Sequence, residues 1–322
     1  MNDFSFDFKP SSDESEVVAR IINGKNKGEN IYLNNQTQTE IENDRLDLLY
    51  DYLTAHKYRL TQKKIDNLAN AVLIRDSDEL QSETKSIYDK FMKSINESHE
   101  ISLPESEIQI VPYQGSEENI QRDCLFIAAC SGAGKTTFIS QYCQLFNKLY
   151  TRSKIYLFSS KPINDEKAFS SIKHIQQVPM DDDSLDDIIT NKGNYLHFAD
   201  KSGQSLVIFD DYDAVPKKTG EKIDVILNSI LQTGRSKRVY CIVSKHVLNA
   251  GNKTKIVWSE CNKIVLFPNG LSRYSLIYAM KYYIGLDMKV IEKLLSSRSR
   301  WVTINNHMPK YYITQNSLSF IK

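Results

Sequence analysis

Residues 124–137 read CLFIAACSGAGKTT, and this stretch decides the fold. Its first part, Cys124 to Cys130, is an apolar run of the length of a buried strand, and a helical pattern over Thr136–Tyr150 follows the glycines. A strand, a glycine-rich turn and a helix in this order gather backbone N–H groups around an anion. The stretch therefore predicts a phosphate-binding loop in an α/β domain.

The loop residues have separate expected roles. Gly132 and Gly134 let the backbone approach a β-phosphate, Lys135 brings a point charge to the β- and γ-phosphates, and the Thr136 hydroxyl can ligate Mg²⁺. The alternative is a chance glycine-rich turn, which the flanking strand and helix disfavour. We expect ATP and Mg²⁺ as cofactors, and the expected nucleotide-binding residues are Ala129, Cys130, Ser131, Gly132, Ala133, Gly134, Lys135, Thr136 and Thr137.

Short apolar runs continue along the chain with helical patterns between them. The further runs are Lys154 to Ser159, Leu206 to Phe209, Arg238 to Val243 and Lys263 to Phe267. Their spacing requires crossover connections, such as the helical pattern over Ile223–Gln232. We expect an α/β fold, a RecA-like P-loop NTPase core with a mostly parallel sheet and helices on both faces.

The run Leu206-Val207-Ile208-Phe209 ends in two carboxylates, Asp210 and Asp211, and is typical of a Walker B strand. In this interpretation Asp210 holds Mg²⁺ through water, and Asp211 orients the attacking water or accepts its proton. The alternative is a strand end whose acidic residues cap the next turn. Pairing with the phosphate loop favours the catalytic interpretation.

The strand ending at Val243 is followed by Ser244, Lys245 and His246. Ligands of open parallel sheets bind at this edge, so Ser244 or His246 is a candidate sensor of the γ-phosphate. An ordinary change from strand to polar loop explains these residues equally well. The guanine-specifying pattern N-K-x-D is missing, since Asn262-Lys263-Ile264-Val265 lacks the Asp, and ATP is therefore expected rather than GTP.

Arg235 and Arg238 flank the turn before that strand. An arginine can neutralise charge that develops on a γ-phosphate, and it can come from a neighbouring subunit. Arginines near a helix C-terminus also interact favourably with the helix dipole without any catalytic role. Both interpretations stay open, with Arg235 the better candidate for catalysis.

These motifs in this order resemble the poxvirus-type DNA-packaging ATPases of nucleocytoplasmic large DNA viruses, in the FtsK–HerA superfamily. The resemblance covers roughly Glu107 to Lys322, and the stretch Ser297 to Ile304 is also similar to the C-terminal part of such viral ATPases. It implies a RecA-like core, assembly of identical subunits into a ring, and ATP-driven movement of double-stranded DNA into a capsid. It also implies that Arg235 acts in trans, that a capsid or portal protein is a partner, and that the protein works in the host cytoplasm or the virion.

Composition and charge set further limits. The chain has 322 residues, 25% of them charged, and five cysteines without C-x-x-C spacing, which supports neither a disulfide framework nor a zinc cluster. No apolar run is long enough to span a bilayer, so no membrane span is expected. Residues 235–322 carry 15 Lys and Arg against three acidic residues, net +12, whereas residues 1–234 carry −11. This asymmetry suggests a polyanion partner, although solubilising surface lysines would give the same count.

Residues 1–104 are expected to form an acidic accessory region, separate from a P-loop ATPase domain at 105–322. About 15 polar residues come first and suggest disorder, although Phe4, Phe6 and Phe8 alternate as in a strand. A hairpin around Gly24–Gly28 and helical patterns from about Glu40 to Asn96 follow.

The sequence leaves three functions open. The first is an ATP-hydrolysing motor subunit that moves double-stranded DNA, and the second is a structural or assembly protein that uses ATP as a switch. The third is a P-loop kinase, ranked last because Arg298 and Arg300, the candidate lid arginines, lie beyond the last predicted strand of the sheet. With Lys281, Lys289 and Lys293 these arginines either face DNA or form a solvated surface.

Overall fold

The computed structural model describes residues 3–36, 38–74, 76–98, 100–114, 121–191, 195–199, 203–248 and 252–321. The chain divides into two compact units, one of residues 1–16 and 31–102 and the other of residues 17–30 and 103–322. Residues 17–30, which the sequence grouped with the accessory region, belong to the second unit. The reason is a long-range strand pairing, with Ala19 opposite Ile110.

In its described residues, the first unit contains three helices with their own apolar core. Its strands and helices are β1 (Asp3–Asp7), most of β3 (Asn30–Gln36), α1 (Gln38–Ala55), α2 (Gln62–Ile74), α3 (Ser82–Ser98) and β4 (Glu100–Ser102). Leu49, Leu68, Val72 and Phe91 are almost fully buried in the core between the helices. β1 pairs antiparallel with β3, so Phe4 and Phe6 do lie on a strand, Phe8 follows its end, and the expectation of disorder is wrong for residues 3–7.

The second unit is built on a large sheet. Its strands are β2 (Glu16–Gly24), β5 (Ser106–Ile110), β6 (Cys124–Ala128), β7 (Ile155–Ser159), β8 (Ile175–Gln177), β9 (Ser205–Asp210), β10 (Val239–Lys245), β11 (Lys263–Leu266), β12 (Val302–Asn305), β13 (Tyr311–Thr314) and β14 (Ser317–Phe320). Nine of them run in the order β14-β13-β12-β11-β6-β10-β9-β7-β8. Strands β11 to β8 in this order are parallel, and β12, β13 and β14 add an antiparallel extension.

Helices cover both faces of the sheet. They are α4 (Lys135–Leu149), α5 (Lys167–Ser170), α6 (Asp182–Asn191), α7 (Tyr195–Phe198), α8 (Lys217–Thr233), α9 (Asn252–Glu260), α10 (Arg273–Tyr278), which continues as a π-helix over Ala279–Ile284, and α11 (Met288–Ser296). On one face, Phe146 of α4 packs edge-to-face against Tyr240. On the other, Val207 and Val243 join the core formed with α6, α8 and α9. The mostly parallel α/β sheet with helices on both faces is confirmed.

The phosphate loop follows β6, and β10 separates β6 from β9, the strand that ends in Asp210. Side chains alternate between the faces of a strand. Ser244 is paired in register with Asp210, so both share the face that Tyr240 and α4 occupy. The fold thus brings the predicted loop, the carboxylates and the sensor candidates to one edge of the sheet.

Candidate functional site: a phosphate-binding loop and its flanks

The loop backbone takes conformations that only its glycines adopt without strain. Gly132 and Gly134 have φ of 78° and 111°, in the left-handed region, and Gly134 is the N-cap of α4. The amide of Cys130 donates to the carbonyl of Gly270, 2.8 Å away, which ties the loop to the turn after β11. A Cβ on Gly270 would lie 2.8 Å from that of Ala133, so the close approach of turn and loop requires glycine there.

Lys135 is held across the loop. Its Nζ donates to the Ala129 carbonyl oxygen at 2.8 Å, lies 3.1 Å from Nδ1 of His246 and 3.9 Å from Oδ1 of Asp211. Burial lowers the pKa of the Lys135 ammonium below its ordinary value, and the carboxylates of Asp211 and Asp210 offset part of that shift. The negative charge of a bound phosphate chain would favour the charged form of Lys135 further.

The Asp210 carboxylate is buried with one oxygen unused. The residue is 5% exposed, and within the described part of the chain neither its Oδ1 nor the Ser244 hydroxyl has a hydrogen-bond partner. Burial raises the pKa of Asp210, and the adjacent Ser244 hydroxyl, although not aligned for a hydrogen bond, offsets part of the rise. Carboxylate and hydroxyl oxygens are the ligands that Mg²⁺ prefers, and Asp210 has an unpartnered carboxylate oxygen, so Asp210 and Thr136 in the first turn of α4 fit the metal that the loop implies.

Asp211 follows the strand with φ of 48°, a conformation that is uncommon for residues other than glycine. Its Oδ1 lies 2.9 Å from Nε2 of His246, without the alignment of a hydrogen bond, and its Oδ2 lies 3.8 Å from Nζ of Lys161. An ammonium can only donate, so a hydrogen bond from Nζ of Lys135 to Nδ1 of His246 requires the tautomer whose ring proton is on Nε2, the nitrogen nearer Asp211. Lys135, His246 and Asp211 thus form a continuous polar chain.

These side chains surround a cavity of about 280 Å³. Its walls include Cys130, Ser131, Gly132, Gly134, Lys135, Thr136, Thr137, Lys161, Glu166, Asp211 and His246. The structure therefore brings together most of the predicted loop residues with Asp211 and His246, and Asp210 with Ser244 next to them. Lys161 and Glu166 are additions that the sequence analysis missed. Lys161 comes just after strand β7, so the rule that parallel strands end at the same edge could have found it.

Arg235 lies at the opposite edge of the sheet. It lines a cavity of about 400 Å³ with Arg122, Glu260 and Cys124, the first residue of β6. The Arg122 guanidinium donates to the carbonyls of Ile230 and Leu231 in the last turn of α8. Arg122 therefore already occupies these helix-end carbonyls. The exposed Arg235 lies near the first residue of β6, whereas the phosphate loop follows the last residue of that strand, about 16 Å further on at about 3.3 Å per residue.

The order of the strands and the loop between β6 and α4 define a P-loop NTPase fold. No protein-family model matches the chain. The chain is 32% identical to uncharacterized protein V3 of Sputnik virophage over 222 residues, which cover 68% of this chain and 83% of V3. At this identity and coverage, the chain belongs to the same family as V3.

Several solved structures are similar to part of this chain. They include the DNA-packaging ATPase B204 of Sulfolobus turreted icosahedral virus, with 17% identity and a TM-score of 0.41 over 62% of this chain and 97% of B204. The cytoplasmic domain of the type VII secretion ATPase EccC of Thermomonospora curvata has 11% identity and a TM-score of 0.46, over 67% of this chain and 28% of EccC. The pCW3 conjugation coupling protein TcpA has 11% identity and a TM-score of 0.43, over 72% of this chain and 81% of TcpA. Likenesses at this level do not define a function.

Among the described residues, no helix has both the length and the apolar character needed to cross a lipid bilayer.

Proposed function

We propose that this chain is an ATP-hydrolysing subunit of a motor that moves double-stranded DNA, in the packaging of a viral genome. The observation that carries the hydrolytic part is the meeting of Lys135, Asp211 and His246 around one cavity under the phosphate loop. A loop that only bound phosphate would not need two carboxylates, Asp210 and Asp211, at the end of β9 on the same edge of the sheet.

Each residue has a role that follows from its position. Lys135 binds the β- and γ-phosphates, Thr136 and Asp210 would hold Mg²⁺, and Mg²⁺ when bound supplies positive charge between the phosphate oxygens. Asp211 is fixed by Lys161 and His246 and orients the attacking water. His246 touches both Lys135 and Asp211, so it can respond when Lys135 turns to a γ-phosphate.

The position of Arg235 supports assembly of identical subunits into a ring. Since this arginine is exposed at the edge of the sheet opposite its own loop, it can meet a γ-phosphate only in a neighbouring copy of the chain. We therefore propose a homo-oligomer whose sites are completed by Arg235 from the adjacent subunit.

Double-stranded DNA is the proposed cargo because the last third of the chain carries net +12. The relative V3 is a virophage protein, which supports a viral origin. With the packaging role we also propose work in the host cytoplasm or the virion and a capsid or portal protein as a partner. The alternatives remain an assembly protein that binds ATP without turnover and a P-loop kinase.

ATP turnover measured with and without long duplex DNA tests the proposal. We expect turnover that requires Mg²⁺ and rises when DNA is added, and none from Lys135→Ala. Nucleotide binding without turnover would favour the assembly protein, and phosphate that appears on an acceptor other than water would favour the kinase.

A further inference from the structure

A second cavity lies on the other flank of the phosphate loop. It has a volume of about 520 Å³, within the range of small-molecule sites. Its walls are Cys130, Ser131, Gly132, Ala133, Phe267, Asn269, Gly270, Arg298, Arg300 and Gln315. Cys130, Ser131 and Gly132 line both cavities, so the loop is their common wall.

Sheet topology brings the two arginines to this place. Strand β12 runs antiparallel to β11, with Val302 opposite Leu266, so the residues just before β12 lie at the edge where the phosphate loop is. The sequence places Arg298 and Arg300 beyond the last predicted strand of the sheet, which is the reason for ranking the kinase last. That placement is wrong, because β12, β13 and β14 continue the sheet after these arginines. Trp301 packs edge-to-face against Phe138 of α4, the helix that follows the phosphate loop.

Hydrogen bonds to Gln315 and within the segment fix the backbone that carries these arginines. The Arg300 amide donates to Oε1 of Gln315 at 2.7 Å, and the Ser299 hydroxyl donates to the Trp301 carbonyl at 2.6 Å. The backbone N–H of Gln315 donates in turn to the Ser299 hydroxyl at 3.0 Å. The segment is therefore anchored, while both guanidinium groups remain exposed.

The charge of this cavity calls for an anion. Its walls hold two guanidinium groups and no carboxylate, and within the described ranges no acidic side chain pairs with Arg298 or Arg300. The side chain of Arg300 lies over the loop, with Cδ 3.3 Å and Nη1 3.8 Å from the position that a Cβ of Gly134 would take. Cations beside the N-terminus of α4 add to its attraction for phosphate.

We propose that this cavity holds the nucleoside half of the nucleotide and that Arg300, assisted by Arg298, binds the phosphate next to the ribose. The inference rests on the proposed nucleotide binding at the loop. Because the carboxylates and His246 occupy the first flank, the terminal phosphate and the metal belong there, and the nucleoside must leave the loop on the second flank. Arg300 therefore contacts groups that ATP and ADP share, in contrast to His246.

Equilibrium binding of fluorescent ATP and ADP analogues, labelled on the ribose, tests the role of Arg300. We expect Arg300→Ala to weaken both by about the same factor, roughly tenfold for the loss of one charge-assisted contact, and Arg300→Lys to weaken them less. Arg152→Ala is the matched control, because Arg152 is an exposed arginine in the turn before β7, at the other edge of the sheet. The inference would be overturned if Arg300→Ala bound both analogues as tightly as the unaltered protein does, or if it lost affinity for the ATP analogue alone.

Asn269→Trp tests the nucleoside position. Asn269 is exposed on the cavity wall, and the indole ring of a tryptophan there would fill the space proposed for the nucleoside. Competition assays with unlabelled ADP and tripolyphosphate, which has no nucleoside, separate the two halves of the ligand. We expect Asn269→Trp to weaken ADP binding and to leave tripolyphosphate binding unchanged. Equal effects on the two affinities would contradict the placement of the nucleoside in this cavity. If the unaltered protein bound neither ligand, the proposed function would fail together with this inference, whereas a silent Arg300→Ala in a protein that binds ATP would leave the proposed function intact.

Discussion

Replacing Asp210 by Asn should stabilise the protein without ligand while it abolishes hydrolysis. The carboxylate is 5% exposed, its Oδ1 has no hydrogen-bond partner in the described part of the chain, and burial raises its pKa. Leaving a buried polar group unsatisfied costs about 1–3 kcal/mol. An amide keeps the shape but removes the charge, so we expect a gain of about 1 kcal/mol, which corresponds to roughly 2–4 °C in Tm for a domain of 150–250 residues.

The gain should depend on pH with a defined sign. A carboxyl whose pKa is raised in the folded state contributes most stability when it is protonated, and it loses that contribution as pH rises through the folded pKa. The penalty that Asn removes therefore exists at neutral pH and disappears in acid. The difference in Tm between Asp210→Asn and the unaltered protein should shrink as pH falls below the raised pKa of Asp210.

Thermal unfolding of both proteins from neutral to acid pH, without nucleotide or Mg²⁺, measures this difference. Asp13→Asn, at an exposed position, is the control and should change little at any pH. Addition of Mg²⁺ and ADP should reverse the order, because the unaltered protein gains binding free energy that the variant lacks. A variant that is less stable than the unaltered protein at neutral pH, or a gain that persists unchanged in acid, would refute the reasoning from charge burial.

The other predictions concern the loop, the ring and DNA. Lys135→Ala should abolish ATP turnover because it removes the ammonium at the β- and γ-phosphates, and unchanged turnover in a phosphate-release assay would remove the loop from the mechanism. Specific activity should rise with protein concentration, and a mixture of inactive Arg235→Ala with inactive Lys135→Ala should regain turnover; full activity of Arg235→Ala alone would exclude a role in trans. The protein should bind duplex DNA without sequence preference, and the logarithm of the binding constant should fall with the logarithm of the salt concentration with a slope of about −0.9 per neutralised phosphate. The double variant Lys281→Glu, Lys289→Glu should flatten that slope. Failure to bind DNA at low salt, with or without a non-hydrolysable ATP analogue, would favour the assembly protein.

Much of the site follows from local sequence patterns. The apolar run before the loop predicts β6, and the rule that parallel strands end at one edge predicts that Asp210 and Ser244 lie near the loop. The register that places Ser244 opposite Asp210 depends on the order of strands in the sheet, which no local pattern determines. The unused oxygen of Asp210 is likewise visible only once the surrounding side chains are in place.

Other contacts depend on pairings between distant residues. Arg122 reaches carbonyls 108 and 109 residues away, and no spacing in the sequence indicates that it occupies the end of α8. The sequence therefore supports the two possible roles of Arg235, helix-end cation or partner of a neighbouring site, equally well, and the position of Arg122 favours the second. Strand β2 joins the second unit through a comparable long-range pairing with β5.

The structure also changes how the charge of the last third should be counted. Of the 15 cations in residues 235–322, Lys245 and Lys263 are buried, the first under the ring of Tyr212 and the second paired with Asp123 at 2.6 Å. Arg298 and Arg300 line the cavity beside the phosphate loop. Arg235 is assigned to the ATP site of the neighbouring subunit, so at most ten of the 15 cations per subunit are left for DNA. The cations at the ATP site must not add to the salt dependence of DNA binding when nucleotide is bound. The DNA-binding slope of Arg300→Ala loaded with nucleotide should therefore equal that of the unaltered protein, whereas a slope flattened by about one phosphate would place Arg300 on the DNA instead.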